Sequence, residues 1–409
     1  MKYVIIGNSA AGVSAVEGIR SADAAGEIVV ISEERFPVYG RPLISYYLLG
    51  ATDRSRMNYR PEDFYEKMGV RLMPGERAER IDVSAKEGVL KSGVRVGYDK
   101  LLVATGSRPF DPPMEGLGEV KQKFHFMSMQ DALDLEKALS VRKRALIVGA
   151  GLIGLKCLEG ILGRVKSVTV VDMAGRILPS ILDDAGAAIV QRELEAKGVR
   201  FCLSDSVKKF EDGTAHLAGG GSIPFDLLVV AVGVRPNVEL VREAGGDVAR
   251  GIVTDDHLRT SLPDVFAAGD CTESDDVSSG TRKILALLPN ATQQGFAAGV
   301  NMAGGDSAFG SAIPLNAIGF FGSHVLTAGS YTGESYTEAE GDRYRRFFVQ
   351  DGVLKGFILV NAPERAGIYT SLVRNRTPLA GLDTARLEAA PVLAAFPASV
   401  REAMLSREV

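Results

Sequence analysis

The stretch ALIVGAGLIG, residues 145–154, contains an apolar run followed by three glycines, at positions 149, 151 and 154. A short apolar run bounded by glycine is typical of a buried strand, and the glycines allow a tight turn from that strand into a helix. A helical stretch follows, and then the strand-like run VTVVD, residues 168–172. The order of strand, glycine turn, helix and strand predicts a parallel sheet with a helical crossover.

A second stretch, near the start of the chain, has the same order. Residues 2–6 (KYVII) form the strand-like run, residues 7–12 (GNSAAG) the turn, and residues 27–31 (EIVVI) the strand after the helix. The turn departs from the glycine pattern at one position, where Ser9 stands in place of the second glycine. Two such units in series predict an α/β chain with two Rossmann-like dinucleotide-binding folds.

The residues of such a turn have separate tasks. The first glycine makes the bend, the second lets the backbone approach a pyrophosphate, and the third packs helix against strand, while the helix N-terminus attracts the phosphates. Asp172 lies eighteen residues after Gly154 and can accept hydrogen bonds from a ribose 2′-OH, which favours NADH. Arg176, four residues further on, leaves NADPH open. In the first unit Glu33, twenty-one residues after Gly12, has the corresponding place.

Composition excludes several classes of protein. The chain has 409 residues, of which 46% are hydrophobic and 24% charged, so it is a globular chain of roughly two to three domains. A net charge of −4 gives no footprint for nucleic acid. The longest apolar stretch, near residues 227–234, is too short to cross a membrane, and a strand-like run at Lys2 leaves no room for a signal peptide. Three scattered cysteines indicate a reducing cytoplasm, and the histidines have no metal spacing, so we expect no metal site.

Two further motifs give the chain its family resemblance. They are ATGSRP, residues 104–109, and VFAAGD, residues 265–270. With the two turns, they make the chain resemble the two-dinucleotide-binding flavoproteins of the pyridine nucleotide–disulfide oxidoreductase fold. The resemblance implies that the first turn binds FAD and the second NAD(P), that the Thr-Gly segment lines the FAD, and that Asp270 bonds its ribityl chain.

The segments at residues 38–48 and 288–304 narrow the resemblance. VYGRPLISYYL and LPNATQQGFAAGVNMAG are similar to segments of rubredoxin and ferredoxin reductases and of the flavin module of assimilatory nitrite reductases. In that group the second segment is a helix whose N-terminus faces the flavin pyrimidine edge, where it stabilises an anionic reduced flavin. By this resemblance Arg41 and Arg108 lie near the FAD phosphate or ring, and Asn290 and Thr292 near the pyrimidine end.

Motifs and resemblance together give two sets of cofactor-binding candidates. Those for FAD are Gly7, Ser9, Ala10, Ala11, Gly12, Glu33, Glu34, Arg41, Pro42, Ala104, Thr105, Gly106, Arg108, Gly269, Asp270, Asn290, Ala291 and Thr292. Those for NAD are Gly149, Gly151, Leu152, Ile153, Gly154, Asp172, Arg176, Val232 and Gly233.

The chain departs from the family in its cysteines and in one charged position. Disulfide-reducing members carry a redox cysteine after the first acid, and residues 33–50 contain none. Lys156 stands where many members have a glutamate near the nicotinamide, and a Glu159 partner one helical turn on makes the two our tentative catalytic residues. The alternative is a surface lysine. Tyr46 stands where some ferredoxin reductases have a lysine, which puts the role of that lysine in doubt.

The resemblance implies an FAD-dependent NAD(P)H oxidoreductase. Hydride would pass between NADH and FAD, and electrons would pass, without a redox disulfide, to or from rubredoxin, ferredoxin or an iron–sulfur subunit. An NADH oxidase using O₂, a coenzyme A disulfide or persulfide reductase, and a non-enzymatic redox-sensing flavoprotein stay open. The expected partner is a small redox protein or an iron–sulfur subunit, and we expect no nucleic acid and no membrane insertion. The chain is expected to be a monomer or homodimer, or a subunit of a hetero-complex.

The predicted organisation has three domains. An FAD-binding domain comprises residues 1–112 and 243–309, an NAD(P)H-binding domain residues 113–242, and a small α+β interface domain with a helical tail residues 310–409. The first domain is therefore split in sequence around the second.

Overall fold

The computed structural model describes residues 1–383 and 395–405, and these residues form two compact units. Unit 1 comprises Met1–Gly175, Gly198–Ser274 and Arg282–Gly310, and unit 2 comprises Arg176–Lys197, Asp275–Thr281 and the chain from Ser311 onward. The predicted division into three domains cuts the chain at other positions than these two units do, and it stays a prediction. Part of the predicted helical tail, residues 384–394 and 406–409, lies outside the described residues.

The strands are short and follow one another closely along the chain. In unit 1 they are β1 (Lys2–Ile6), β2 (Glu27–Ser32), β3 (Val70–Pro74), β4 (Ala78–Asp82), β5 (Glu87–Leu90), β6 (Arg95–Gly97), β7 (Lys100–Val103), β8 (Ser107–Pro109), β9 (Lys123–Phe124), β10 (Arg144–Val148), β11 (Ser167–Asp172), β12 (Arg200–Leu203), β13 (Val207–Glu211), β14 (Thr214–Leu217), β15 (Ser222–Pro224), β16 (Leu227–Val230), β17 (Val234–Pro236) and β18 (Val265–Ala267). Then come β19 (Ser274–Asp276), β20 (Thr281–Lys283), β21 (Leu315–Phe320), β22 (Ser323–Gly329), β23 (Glu334–Glu340), β24 (Arg343–Gln350) and β25 (Val353–Val360).

The α-helices of the described residues separate these strands. They are α1 (Ala10–Ala22), α2 (Ile44–Leu49), α3 (Phe64–Lys67), α4 (Met129–Ala138), α5 (Leu152–Ile161), α6 (Asp184–Ala196), α7 (Glu239–Glu243), α8 (Leu288–Met302), α9 (Ala366–Asn375) and α10 (Ala398–Leu405). Short 3₁₀ helices cover Arg41–Leu43, Arg54–Met57, Leu117–Glu119 and Leu162–Arg164. Among these helices none is both long and apolar enough to cross a bilayer.

Unit 1 contains two five-stranded parallel sheets, as the glycine turns predicted. The first has the strand order β18-β7-β1-β2-β3 and the second the order β12-β11-β10-β16-β9. The central strands are buried on both faces, with Val4, Ile5, Leu146 and Ile147 at zero exposure, which is why they read as continuous apolar runs. In each sheet the strand before the glycine turn lies between two neighbours that the chain reaches in opposite directions: β1 lies between β2 and β7, and β10 between β11 and β16. This switch point is where α/β sheets bind ligands.

Unit 1 also contains smaller antiparallel sheets, and unit 2 contains one larger antiparallel sheet. Strands β4 to β6 and β13 to β15 make three-stranded sheets, and β8 pairs with β17. The sheet of unit 2 has the order β21-β22-β25-β24-β23. Its β25 is buried over Phe357 to Val360, and α9 covers it with Tyr369 and Leu372.

Candidate functional site

The first glycine turn joins the end of β1 to the start of α1. Gly7 has a φ of +126°, and a Cβ placed on it would lie 2.0 Å from the carbonyl oxygen of Ala104. A Cβ on Gly12 would lie 2.0 Å from the carbonyl oxygen of Gly7. Both contacts are with backbone, so glycine is required at both positions by the packing of the protein itself.

The N-terminus of α1 is open to a ligand. The Ser9 side chain does not cap the helix, and the first turn carries no acidic residue; its hydroxyl only accepts a long 3.4 Å hydrogen bond from Arg41 Nε. The first N–H groups of α1, at Ala10 and Ala11, therefore lack a side-chain partner and lie at the positive end of the helix. The Asn8 amide nitrogen is also buried without an acceptor. These donors fit a diphosphate.

Glu34 and Arg41 form a partly exposed ion pair beside this turn. Arg41 also donates to the Met127 carbonyl at 3.1 Å, and the Tyr39 hydroxyl donates to Glu34 Oε2 at 2.7 Å. Glu33, by contrast, has a side chain that is 69% exposed. Glu33, at the predicted ribose position, thus faces outward, while its neighbour Glu34 pairs with Arg41.

Pro42 lies in the short 3₁₀ helix Arg41–Leu43, which leads directly into α2. The proline ring fixes φ near the helical value and has no N–H to leave unpaired at the start of a helix. Arg41 and Pro42 therefore fix the direction of the chain at the start of α2.

The VFAAGD motif ends β18 with a left-handed turn. Gly269 has a φ of +86°, and its N–H donates to Gln294 Oε1. Thr272 Oγ1 donates to the same oxygen at 3.1 Å. Burial raises the pKa of Asp270, and the positive charge of Arg41 opposes that rise. Asp270 thus stands half-buried in a turn that α8 holds in place.

Helix α8 lies against α1 with backbone touching backbone. A Cβ on Gly295 would lie 2.1 Å from the Ala11 carbonyl oxygen, and one on Gly299 would lie 2.2 Å from that of Ala15. Large side chains are absent from this contact because the two helices leave no room for them. The start of α1 is therefore positioned by α8 as well as by its own turn.

The first turn of α8 presents the predicted pyrimidine-end residues. The helix has no side-chain cap and no acidic residue in its first turn. Asn290 and Ala291 are buried, and Thr292 Oγ1 lies 3.1 Å from the Tyr59 hydroxyl. The dipole of this helix would favour negative charge on a ligand at its N-terminus.

The ATGSRP motif joins β7 to the β8–β17 pair. Thr105 Oγ1 donates to the Asn237 carbonyl at 2.7 Å, and Asn237 Nδ2 donates back to the Thr105 carbonyl at 2.9 Å. Gly106 has a φ of +63°. Arg108 is about half exposed and forms a salt bridge with Glu239 at 2.7 Å. Ala104 and Thr105 thus line the carboxyl edge of the first sheet, and Arg108 is held by Glu239.

The second glycine turn has the same construction, with one informative difference. A Cβ on Gly149 would lie 2.3 Å from the Ala231 carbonyl oxygen, and one on Gly154 would lie 2.0 Å from that of Gly149. A Cβ on Gly151 would meet nothing within 4 Å. The first and third glycines are therefore needed for packing, whereas the second faces open space before α5, at Leu152 and Ile153.

Asp172 ends β11 and faces this turn. Its carboxylate accepts from the Ala150 N–H at 2.6 Å and from the Ala174 N–H at 2.8 Å. Val232 is 37% exposed, and Gly233 has a φ of +114° with no atom within 4 Å of a Cβ there. The predicted NAD residues of unit 1 therefore meet at the carboxyl edge of the second sheet. Arg176 belongs to unit 2 and bonds within it.

The predicted pairing of Lys156 with Glu159 is present in α5. The two side chains form a salt bridge in which the lysine is 17% and the glutamate 6% exposed. The Lys156 ammonium also lies 4.5 Å from the centre of the Tyr46 ring, within cation–π distance. The lysine is therefore a half-buried cation held between α2 and α5, and the surface-lysine alternative is wrong.

None of the three cysteines forms a disulfide, and two of them are buried. Burial raises the pKa of Cys271 to about 11 and that of Cys157 further above its ordinary value. A thiolate is the reactive form of cysteine, so neither residue is set up as a redox nucleophile. Cys202 lies on β12 at intermediate exposure.

A surface cluster that the sequence did not single out surrounds His257. Its ring nitrogens lie 2.6 Å from Asp256 and 2.7 Å from Asp306, and Asp255 also has a carboxylate oxygen close to these groups. The acids are exposed and bond with the histidine itself. The hydrogen bonds that His257 donates to Asp256 and Asp306 raise the pKa of His257.

Several contacts at the site involve residues outside the predicted sets. Tyr39, Tyr59, Asn237 and Gln294 each hold a predicted residue through a hydrogen bond. Only Gln294 could have been identified from the sequence, because it lies within the helical segment whose N-terminus the family resemblance places at the flavin. The others act across distances in sequence that no local pattern spans.

Comparison with known proteins gives consistent results. A family profile described as pyridine nucleotide-disulphide oxidoreductase matches residues 1–295. The chain is 32% identical over 395 residues to the NADH-dependent phenylglyoxylate dehydrogenase subunit epsilon of Aromatoleum evansii, which covers 93% of each chain. It is 32% identical over 300 residues to the rubredoxin-NAD(+) reductase of Pseudomonas putida, covering 72% of this chain and 78% of that one.

The fold is similar to that of a putidaredoxin reductase in its crystallised covalent complex with putidaredoxin. The TM-score is 0.87 and the identity 23%, over 100% of this chain and 99% of that one. At this identity the likeness shows the fold alone. The predicted Rossmann-like α/β fold and the predicted family resemblance are both confirmed.

Proposed function

We propose a function from the premise that this chain belongs to the pyridine nucleotide-disulphide oxidoreductase family: it is an FAD-dependent oxidoreductase that uses NADH. Electrons are exchanged, without a redox disulfide, with a one-electron carrier such as a small iron–sulfur protein. The observation that carries this proposal is the pair of uncapped helix N-termini, of α1 and α5, each behind its own glycine turn in its own parallel sheet.

FAD fits the first turn. The open N–H groups of α1 and the buried Asn8 amide nitrogen without an acceptor would bind its diphosphate. Asp270, raised in pKa by burial and standing at the β18 turn, would bond the sugar alcohol chain. When bound, FAD supplies the means of converting between two-electron and one-electron transfer. The N-terminus of α8 would favour negative charge at the far end of the ring.

NADH fits the second turn. The space beside Gly151 admits a pyrophosphate close to the backbone, and the uncapped start of α5 faces it. The Asp172 carboxylate already holds the turn through the Ala150 N–H, and it would repel a 2′-phosphate at the end of β11. The negative charge of Asp172 supports NADH as the substrate, with NADPH as the poorer one.

Lys156 is the residue we propose to act at the junction of the two cofactors. Glu159 and the Tyr46 ring hold its ammonium group in place. A positioned cation would stabilise negative charge that develops during transfer between cofactors. Lys156→Gln should slow flavin reduction by roughly tenfold, the factor that corresponds to about 1.4 kcal/mol, with FAD content unchanged. Lys166→Gln, at an exposed lysine in the same unit, is the matched control.

The cysteines support direct transfer rather than thiol chemistry. Cys157 and Cys271 are fully buried and have raised pKa values. The named relatives act with rubredoxin or as a subunit of an NADH-dependent dehydrogenase. We therefore propose a small redox protein or an iron–sulfur subunit as the partner, in the cytoplasm, as the low cysteine content suggests.

Anaerobic stopped-flow tests the function directly. Mixing the flavin-loaded protein with NADH should bleach the flavin on a catalytic timescale, and NADPH should do so more slowly. Reoxidation is then followed with rubredoxin, ferredoxin and O₂ in separate experiments. Failure of NADH to bleach the flavin would refute the proposal, and O₂ as the fastest acceptor would replace it with an NADH oxidase.

A further inference from the structure

Helix α2 contacts elements that belong to both parallel sheets of unit 1. In the chain it lies between β2 and β3 of the first sheet, directly after the 3₁₀ helix Arg41–Leu43, whose arginine bonds Ser9 in the first glycine turn. In space it packs against α5, the helix that follows the glycine turn of the second sheet, and against α4. The position of α2 therefore relates the first glycine turn to the second.

The contact between α2 and α5 is closest at Gly160. A Cβ placed there would lie 2.9 Å from the Cβ of Leu48 and 3.1 Å from the carbonyl oxygen of Ser45. Neither atom can rotate away, because one is backbone and the other is bonded directly to the backbone. An added methyl group would therefore push the helices apart by up to about 0.5 Å, the difference between 2.9 Å and an ordinary contact of 3.4 Å.

Arg164 holds the carboxyl end of α2. It follows α5, and its Nη1 donates to the Leu48 carbonyl at 2.9 Å and to Glu136 Oε1 on α4 at 3.2 Å. The last carbonyls of a helix have no donor within it, and a cation is favoured at that end. Glu136 also accepts from the Tyr47 hydroxyl at 2.7 Å. Arg164 and Glu136 are each about one third exposed, so their charge pairing adds little to stability, and its effect is on position.

The same face of α2 reaches Lys156, the residue proposed to act at the junction of the two cofactors. Tyr46 precedes Tyr47 in α2, and its ring centre lies 4.5 Å from the Lys156 ammonium. Lys156 lies one helical turn before Gly160 on α5. A movement of α2 away from α5 would therefore separate the ring from the ammonium as well as the two glycine turns.

We infer that Gly160 and Arg164 are positioning residues for transfer between the two cofactors: they hold α2 against α5, and Glu136 fixes the arginine. A misplacement of about 1 Å can lower the rate of such a reaction by about 100-fold. A displacement of about 0.5 Å then corresponds to roughly tenfold on the same scale. This inference rests on the proposed function.

The test measures transfer and binding separately. The limiting rate of flavin reduction at saturating NADH is measured by anaerobic stopped-flow, the flavin content by absorbance, and ADP-ribose binding to the flavin-loaded protein by calorimetry. We expect the limiting rate to fall about tenfold in Gly160→Ala and about threefold in Arg164→Gln, with flavin content and ADP-ribose affinity unchanged within about twofold.

Two matched controls belong to the same unit. Gly163→Ala adds a methyl group three residues after Gly160, where a Cβ would meet no atom within 4 Å. Arg142→Gln removes the charge of an exposed arginine just before β10. Both controls should leave the limiting rate, the flavin content and the ADP-ribose affinity unchanged.

A conservative substitution and a readout without NADH complete the test. Arg164→Lys keeps the positive charge and a donor for the Leu48 carbonyl, and should restore the limiting rate to within about twofold of the wild type. Hydrogen exchange of the α2 amides in the flavin-loaded protein should be about fivefold faster in Arg164→Gln, because the helix end loses a hydrogen bond, and unchanged in Arg142→Gln.

Three results would overturn the inference. One is an unchanged limiting rate in Arg164→Gln. Another is a rate that falls only together with the flavin content or the ADP-ribose affinity, because the residues would then act on binding alone. The third is a rate in Arg164→Lys as low as in Arg164→Gln. The arginine variants decide if Gly160→Ala loses its flavin. Failure of the proposed function is recognised separately, because NADH would then leave the flavin of the wild type unbleached.

Discussion

Gly295 on α8 is a position at which a single added methyl group should both destabilise the fold and displace the start of α1. A Cβ there would lie 2.1 Å from the carbonyl oxygen of Ala11 and 2.7 Å from its carbonyl carbon and Cα. All three atoms are backbone, so no side chain can rotate away. To reach even 3.0 Å, α1 and α8 would have to separate by about 0.9 Å, in a contact that continues one turn further at Gly299.

The change in the free energy of unfolding caused by Gly295→Ala is the sum of two opposing contributions. Overpacking typically costs about 1–3 kcal/mol, and a clash with rigid backbone belongs at the upper end of that range. Replacing a helical glycine by alanine contributes about 1 kcal/mol in the other direction through helix propensity. We therefore expect Gly295→Ala to lower the free energy of unfolding by about 2 kcal/mol. The displaced residue, Ala11, carries one of the N–H groups proposed for the FAD diphosphate, so the flavin content should fall as well.

Urea unfolding of the flavin-loaded protein, with the ratio of flavin to protein absorbance, measures both effects. The matched control is Gly367→Ala on α9, where a Cβ would meet no atom within 4 Å. That variant should keep its flavin and be as stable as the wild type or slightly more so. If Gly295→Ala proved as stable as Gly367→Ala and kept its flavin, the backbone contact between α1 and α8 would not exist as described.

Three further expectations follow from the same structure. Cys271→Ser should retain NADH-driven reduction of ferricyanide, because the thiol is buried with a pKa raised to about 11; loss of turnover in a folded, flavin-containing variant would restore a thiol mechanism. The pKa of His257 is raised by its hydrogen bonds to Asp256 and Asp306. These bonds therefore stabilise the fold fully at a pH below the unfolded-state pKa of the histidine, and the stabilisation is lost as the pH rises through its folded-state pKa. The melting temperatures of wild type and His257→Gln should therefore differ more at pH 5.5 than at pH 8.5, and an equal difference at both would contradict this. Ser128→Ala removes one half of the capping box that Ser128 forms with Asp131 at the start of α4, and should cost about 1 kcal/mol in urea unfolding, against no change for Ser92→Ala at an exposed serine.

The elements near the glycine turns were predictable because their signals are local. A buried parallel strand is an apolar run, and the turn after it needs glycine at fixed positions, so β1, β10 and their turns follow from a dozen residues each. Helix α8 was predicted as well, from a segment similar to the reductases. The predicted pairing of Lys156 with Glu159 needed only the helical period.

Local spacing could not predict which of two neighbouring glutamates, Glu33 or Glu34, pairs with Arg41. Glu33 and Glu34 both follow β2, and spacing alone favours the first. The structure shows Glu33 exposed and Glu34 paired with Arg41, together with Tyr39. That pairing depends on where the chain returns seven residues later, which is a property of the fold and not of the local pattern.

The two turns together explain why a serine can stand in the first of them. In both turns the first and third glycines are forced by backbone contacts of 2.0–2.3 Å, so any side chain at Gly7, Gly12, Gly149 or Gly154 would break the packing of the protein with or without a ligand. The middle position is different, because a Cβ on Gly151 would meet nothing within 4 Å. The packing of the protein therefore does not limit the residue type there. A serine in the equivalent place costs no packing, so the departure of the first turn from the glycine pattern falls at the one of the three glycine positions where the packing of the protein does not require glycine.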